Sequence, residues 1–241
     1  MKEVIIRVIT FDLDDTLWHT APVIQKAEQA MYDWVIQQAP KAEALMNSRQ
    51  FDPIKQAMYN QHPELAHQIS EVRIIALQKA LRQAGYNSKQ SKNWALEAFD
   101  IFINARHEVE LFDDTAMMLE QLHQRYQLGV LTNGNADISR LDINEFFDFS
   151  FAAEALNSSK PAPAHFLAAM EACQVEAHQI IHVGDHPHHD IKGALDAGCH
   201  ALWFNPNNQT WPETSPEPPQ VQQITDIPGA IKQIALLANT H

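Results

Sequence analysis

The stretch from Val4 to Phe11 limits the fold more than any other feature of this chain. It is β-branched and almost wholly apolar, and it stops abruptly in Asp12-Leu13-Asp14-Asp15-Thr16. A strand that is apolar on both faces needs cover on both faces, as in a parallel sheet packed between helices. Four further short runs have the same character: Gln127 to Leu131, Phe149 to Ala153, Ile180 to Val183 and Ala201 to Phe204. Between them, helical spacing is expected near residues 114–124, 137–146, 163–173 and 190–197. Strands alternating with helices predict βαβ units, and therefore an α/β fold with a parallel sheet.

Residues 19–110 break that alternation, and no strand is expected in them. Ile24, Ala27, Met31 and Trp34-Val35 recur at helical spacing, as do Ile69, Val72, Ala76 and Ala80, then Trp94, Ala98, Phe102 and Ala105. Pro22, Pro53 and Pro63 read as first helical positions, and Gly85 as a helix stop. The chain therefore reads as a sheet-bearing core, residues 1–18 and 111–241, with a helical insertion over 19–110. Five prolines between 206 and 219 mark a surface loop, with Trp211 available to anchor it.

Charge and cysteine usage narrow the function classes. Asp+Glu outnumber Lys+Arg by 30 to 17, a formal net charge of −13. That excludes the basic footprint of non-specific nucleic-acid binding. No run of 18 apolar residues suits a membrane helix, and the apolar start is too short for a signal-peptide core. Cys173 and Cys199 have no metal-ligand spacing and read as buried thiols. The expectation is a cytoplasmic protein without membrane or nucleic-acid partners.

Chemistry collects after the strands, where open parallel sheets bind ligands. Asp12 and Asp14 leave the first strand together. Carboxylates there are costly unless something positive satisfies them, and magnesium, a hard octahedral cation, suits Asp12, Asp14 and Asp185. Thr132-Asn133-Gly134 follows the second run; a hydroxyl and backbone N–H groups there can donate to phosphate oxygens, or simply form a turn. Lys160, in Ser159-Lys160-Pro161, is either an exposed lysine before a helix or an ammonium offsetting phosphoryl charge. Asp185 leaves the fourth run, and Asp190 opens the next helix, where it also fits as an N-cap. His186, His188 and His189 lack a transition-metal spacing and read as solvent-facing or substrate-rim side chains.

In that order, these four motifs resemble the haloacid dehalogenase superfamily of phosphohydrolases over nearly the whole chain. The resemblance implies a Rossmann-like core and a helical C1 cap, the 19–110 insertion. It implies Asp12 as nucleophile and Asp14 as general acid/base, with Thr132, Asn133 and Lys160 on the phosphate. Asp185 would hold magnesium with Asp12 and Asp14, and Asp190 would support the metal or Lys160. Phe11–Leu17, Leu131–Ala136, Ser159–Pro161 with Phe166-Leu167-Ala168-Ala169, and Ile181–Asp185 are similar to the bacterial flavin-mononucleotide phosphatase branch, associated also with 5-amino-6-(5-phospho-D-ribitylamino)uracil and riboflavin biosynthesis. A small phosphorylated metabolite is the implied partner, with the cap choosing it. Trp34, Trp94 and Phe99 would stack a flat ring or pack the cap's own core. A phosphatase for a sugar phosphate or nucleotide is the alternative. A 2-haloacid dehalogenase is more remote, because a halide leaves without a proton and without magnesium.

Overall fold

A computed structural model describes residues 6–212, 214 and 216–238, so Val4 and Ile5 of the first predicted strand lie outside the described residues. The chain divides into two compact units, residues 20–109 and residues 1–19 with 110–241. In the second of these, β1 (Val8–Phe11) is buried throughout.

The unit over 20–109 is helical: α1 (Thr20–Gln38), α2 (Ser48–Gln61), α3 (Ile69–Gln83) and α4 (Ser88–Arg106). Its core gathers Met31, Val35, Ala76, Ala80, Ala98 and Phe102, which recur at helical spacing, together with Phe51 and Leu77. Asn87 starts α4 with a reciprocal cap, its side chain accepting from Gln90 N and its N–H donating to the Gln90 side chain. Gly85 follows α3 with φ of +90°, a conformation that costs glycine little. Trp34, Trp94 and Phe99 are partly buried against this unit's own core, and Trp94 meets Tyr86 edge-on at 5.0 Å.

The prolines depart from expectation. Pro53 lies inside α2 rather than at its start. The helix begins earlier because Asn47 caps it, accepting from Gln50 N at 3.2 Å, and the helix runs on through the missing N–H. Pro22 stands third in α1, inside the first turn, where an N–H has no helical partner anyway. Pro63 does begin a helical turn, but a single 3₁₀ turn, Pro63–Leu65.

Beyond residue 110 the alternation resumes: α5 (Thr115–His123), β2 (Gln127–Thr132), β3 (Phe149–Ala152), α6 (Ala153–Leu156), α7 (Ala164–Cys173), β4 (Ile180–Gly184), α8 (Gly193–Asp196), β5 (His200–Phe204), β6 (Gln220–Val221) and α9 (Ile227–Ala238). Among the described residues the strands form one sheet in the order β3-β2-β1-β4-β5-β6, every pairing parallel. β1 is central. Phe11 pairs with Val130 of β2 on one side and Val183 of β4 on the other. The loops after β1, β2 and β4 therefore leave the sheet side by side.

Residues 137–146 are not the predicted helix but two single turns, Ile138–Arg140 and Asn144–Phe146. Asp137 explains the first: its carboxylate accepts from both Ser139 N and Ser139 Oγ, a local bond that competes with helix propagation. β6 was not foreseen, since two residues carry no periodicity. Trp211 packs at 5.5 Å against Trp203 of β5, so the proline-rich loop is tied down there. Cys173 and Cys199 are free and buried. Among the described residues no helix is long and apolar enough to cross a membrane.

Candidate active site

Asp12 is held at the end of β1 by its own N–H, which donates to Val183 O of β4 at 2.9 Å. Its carboxylate meets the Lys160 ammonium, with Nζ 2.8 Å from Asp12 Oδ1 and 2.6 Å from Asp190 Oδ1. Nζ also donates to Leu131 O. Lys160 is 2% exposed, so the exposed-lysine reading fails.

Asn133 explains how a loop lysine is placed so tightly. Its Nδ2 donates to Lys160 O at 3.0 Å and its Oδ1 accepts from Lys160 N at 2.8 Å. One N–H and the oxygen of the amide thus clasp the Lys160 main chain, and the second N–H is left for the phosphate contact expected of Asn133. Thr132 is oriented by accepting from Gly134 N at 3.0 Å, which leaves its hydroxyl proton to donate. Behind it, His165 Nε2 lies 3.1 Å from Thr132 O.

Asp190 reaches Lys160 because the wide π-helical turn Pro187–Lys192 folds back over β4. His186 N donates to Asp190 Oδ2 at 2.9 Å. Gly184 permits the approach: a Cβ there would stand 2.5 Å from Asp190 Cβ. Asp185 accepts weakly from Thr16 Oγ1 at 3.4 Å, and its main-chain carbonyl accepts from Trp203 Nε1 at 2.7 Å.

One oxygen each from Asp12, Asp185 and Asp190 lies within 4.8 Å of the others, a group able to hold a metal ion. The Asp14 carboxylate stands outside that group of side-chain oxygens. Its Oδ1 accepts from Trp18 Nε1 at 3.0 Å, and it walls the same cleft of about 190 Å³. Asp12, Thr132, Asn133, Lys160 and Asp185 also line that cleft, as do His186 and His189.

The electrostatics follow from three carboxylates sharing one ammonium. Burial opposes the charge on Lys160, but Asp12 and Asp190 outweigh it and raise the lysine. Asp190 is likewise opposed by burial, yet Lys160 and His182 hold it well below the ordinary carboxylate range. Asp12 is raised by burial, with Lys160 only partly offsetting this and Asp190 adding to it. Asp185 is pushed up to about 7, by burial first and then by Asp190 and Asp15. Three carboxylates thus share one ammonium, and the excess negative charge is the condition a divalent cation relieves.

Sequence reasoning passed over His182 and Thr10. His182 is fully buried in the middle of β4; its Nδ1 lies 2.9 Å from Thr10 Oγ1 and its Nε2 3.5 Å from Asp190 Oδ1. A histidine inside Ile-Ile-His-Val was the available signal.

Residues 6–198 match the haloacid dehalogenase-like hydrolase family. The 5-amino-6-(5-phospho-D-ribitylamino)uracil phosphatase YigB of Escherichia coli is 30% identical over 210 residues, covering 86% of this chain and 88% of that protein. A glyceraldehyde 3-phosphate phosphatase of Pyrococcus furiosus is 28% identical over 83% of this chain and 80% of its own length. A crystal structure described as a 2-haloacid dehalogenase from Pseudomonas syringae pv. tomato superposes with a TM-score of 0.91 at 39% identity, over 95% of this chain and 99% of that one. With its central parallel sheet, its helical second unit and its carboxylate–lysine cluster, the chain belongs to the haloacid dehalogenase-like hydrolases.

Proposed function

We propose that this chain is a magnesium-dependent phosphomonoesterase working through an aspartyl-phosphate, with flavin mononucleotide or 5-amino-6-(5-phospho-D-ribitylamino)uracil as substrate. The observation that carries the reading is the buried Lys160 ammonium bridging Asp12 and Asp190 beside Asp185. A phosphate dianion is repelled by carboxylates and needs local positive charge to reach Asp12. Magnesium, held by Asp12 and Asp185 with Asp14 or Asp190, would supply charge neutralisation for the phosphoryl group.

The chain's own residues then divide the work. Asp12 attacks phosphorus in line, and the bond to the ester oxygen breaks as the new oxygen–phosphorus bond forms. Asp14, fixed by Trp18, gives the leaving alcohol its proton. It then takes a proton from water, which attacks the aspartyl phosphate and releases inorganic phosphate and free Asp12. Lys160 and the Thr132 hydroxyl hold the phosphoryl oxygens. Asn133 positions Lys160 and keeps one N–H for the phosphate. The helical unit over 20–109 takes the part of the cap that selects the ester.

The choice of substrate rests on the name of the Escherichia coli relative and on the motifs it shares. The described 2-haloacid dehalogenase favours a second reading, since halide displacement would use the same Asp12. The first reading is preferred because a halide needs neither Asp14 as acid nor the excess carboxylates. The deciding experiment measures kcat/KM for flavin mononucleotide, the ribitylaminouracil phosphate, erythrose 4-phosphate and 2-chloropropionate, with magnesium and with excess chelator. Magnesium-dependent turnover highest on the ribityl phosphates is expected. A tenfold preference for erythrose 4-phosphate overturns the substrate, and turnover of 2-chloropropionate in chelator overturns the reaction.

A further inference from the structure

The turn after β4 holds a ring that the mechanism above leaves unused. His186 Nδ1 accepts from two main-chain donors, His188 N at 3.2 Å and His189 N at 3.1 Å. An Nδ1 that accepts carries no proton, so the proton of this ring is on Nε2. The ring is also braced by stacking: its centroid lies 3.9 Å from that of His189, with 13° between the planes. Two hydrogen bonds and a stack thus fix both tautomer and orientation in a ring that lines the reaction cleft.

The position matters because of what else lies there. On the β2 side of Asp12 the cleft has Thr132 and the ammonium of Lys160. On the β4 side it has the carboxyl groups of Asp185 and Asp190. The Asn133 amide gives one of its two N–H donors and its oxygen to the Lys160 main chain, which leaves one N–H on that side. His186 Nε2–H is a fixed donor on the acidic flank of the cleft.

We infer that His186 is a substrate-binding residue whose Nε2–H donates to a phosphoryl oxygen of the bound ester. The inference rests on the phosphatase reading and adds a phosphate contact to it. It also gives the turn a purpose beyond carrying Asp190: the main-chain N–H groups that cap onto His186 set which nitrogen faces the substrate. A donor already aligned costs no reorganisation when the ester binds.

Two substitutions separate this role from simple capping. Asn places an acceptor where Nδ1 stands but does not reach as far as Nε2; Gln places a donor where Nε2 stands but forfeits the cap. KM and kcat are measured for His186→Asn and His186→Gln on a phosphomonoester, and inorganic phosphate binding is measured by calorimetry with magnesium present. The inference expects His186→Asn to melt with the wild type yet raise both KM and the phosphate dissociation constant by about 10- to 100-fold, the usual worth of a hydrogen bond to a charged group. His186→Gln should recover most of that loss even if it melts lower. Wild-type binding and KM in His186→Asn, with losses only in His186→Gln, would show a cap alone and overturn the inference while hydrolysis stands. If the wild type binds phosphate through His186 but hydrolyses no ester, the phosphatase reading falls and the contact stands. If the wild type neither binds phosphate nor hydrolyses an ester, both fall.

Discussion

Asp190 Oδ1 lies 2.6 Å from Lys160 Nζ, and both side chains are buried. The pair joins the loop between α6 and α7 to the turn after β4, two segments thirty residues apart in sequence that have no strand pairing to register them. It also fixes the ammonium against Asp12. Neither charge could be buried alone at tolerable cost.

Removing one partner should therefore be costly. Asp190→Ala is expected to lower unfolding free energy by about 3–5 kcal/mol, the usual range for breaking a buried pair. Turnover should fall with it, since Lys160 loses one of its two carboxylate anchors. Denaturant midpoints read the first effect and kcat the second. A midpoint equal to wild type would show that the pair is structurally idle.

Gly184→Ala tests the same contact without touching a charge. The added Cβ meets Asp190 Cβ and Cγ, each at 2.5 Å, and Asp190 Oδ2 at 2.6 Å. These are the near atoms of a buried side chain, not a flexible tip, so the turn must shift. Overpacking of this kind costs about 1–3 kcal/mol. Displacing Asp190 should lower kcat, and because the same turn carries His186, KM should rise with it. Wild-type kcat in a Gly184→Ala protein would mean that Asp190 need not sit where it does.

These contacts show which parts of the site could be read from the chain. Strand ends were legible because Val8–Phe11 and Ile180–Val183 are apolar runs that end in carboxylates, and a parallel sheet gathers such ends at one edge. What the loops do to one another was not legible. That Asn133 clasps the Lys160 peptide depends on two loops meeting, and no spacing within either loop announces it. Asp190 was expected beside the metal or Lys160, but the π-helical turn that carries it there, in place of an α-helix it would open, was not. The helix expected over 137–146 failed for a local reason, the Asp137–Ser139 bonds, which hydrophobic periodicity does not register.

The buried histidines set an acid limit on stability. Burial, reinforced by Lys160, holds His165 and His182 down to about 4, against an ordinary value of about 6.5. Between these values the unfolded chain binds protons that the folded chain does not. Stability is thus fully present above pH 6.5 and is lost as pH falls towards 4, by up to about 1.4 kcal/mol per pH unit for each ring. Chemical unfolding at a series of pH values measures the slope. His182→Asn should flatten it between pH 6.5 and 4 relative to wild type. An unchanged slope would mean that His182 is not buried neutral.

Asp14 and Asp12 are distinguished by what each does to the two halves of the reaction. With p-nitrophenyl phosphate the leaving group departs readily without a proton, so Asp14→Asn should still transfer phosphoryl to Asp12. Hydrolysis of that aspartyl phosphate needs Asp14 again, as base for water, and general acid/base help is typically about 100- to 10,000-fold. Asp14→Asn should therefore release one equivalent of nitrophenol per active site in a burst and then turn over slowly. With an alkyl phosphate such as flavin mononucleotide the leaving group needs its proton, so the same variant should show no burst and a slow first turnover. Asp12→Asn should show no burst with either ester, since the amide is a very poor nucleophile. Rapid-quench measurement of both esters with both variants checks the assignment. A burst in Asp12→Asn, in protein free of contaminating phosphatase, would move the nucleophile elsewhere. Equal slowing of both esters by Asp14→Asn without a burst would reduce Asp14 to a structural partner of Trp18.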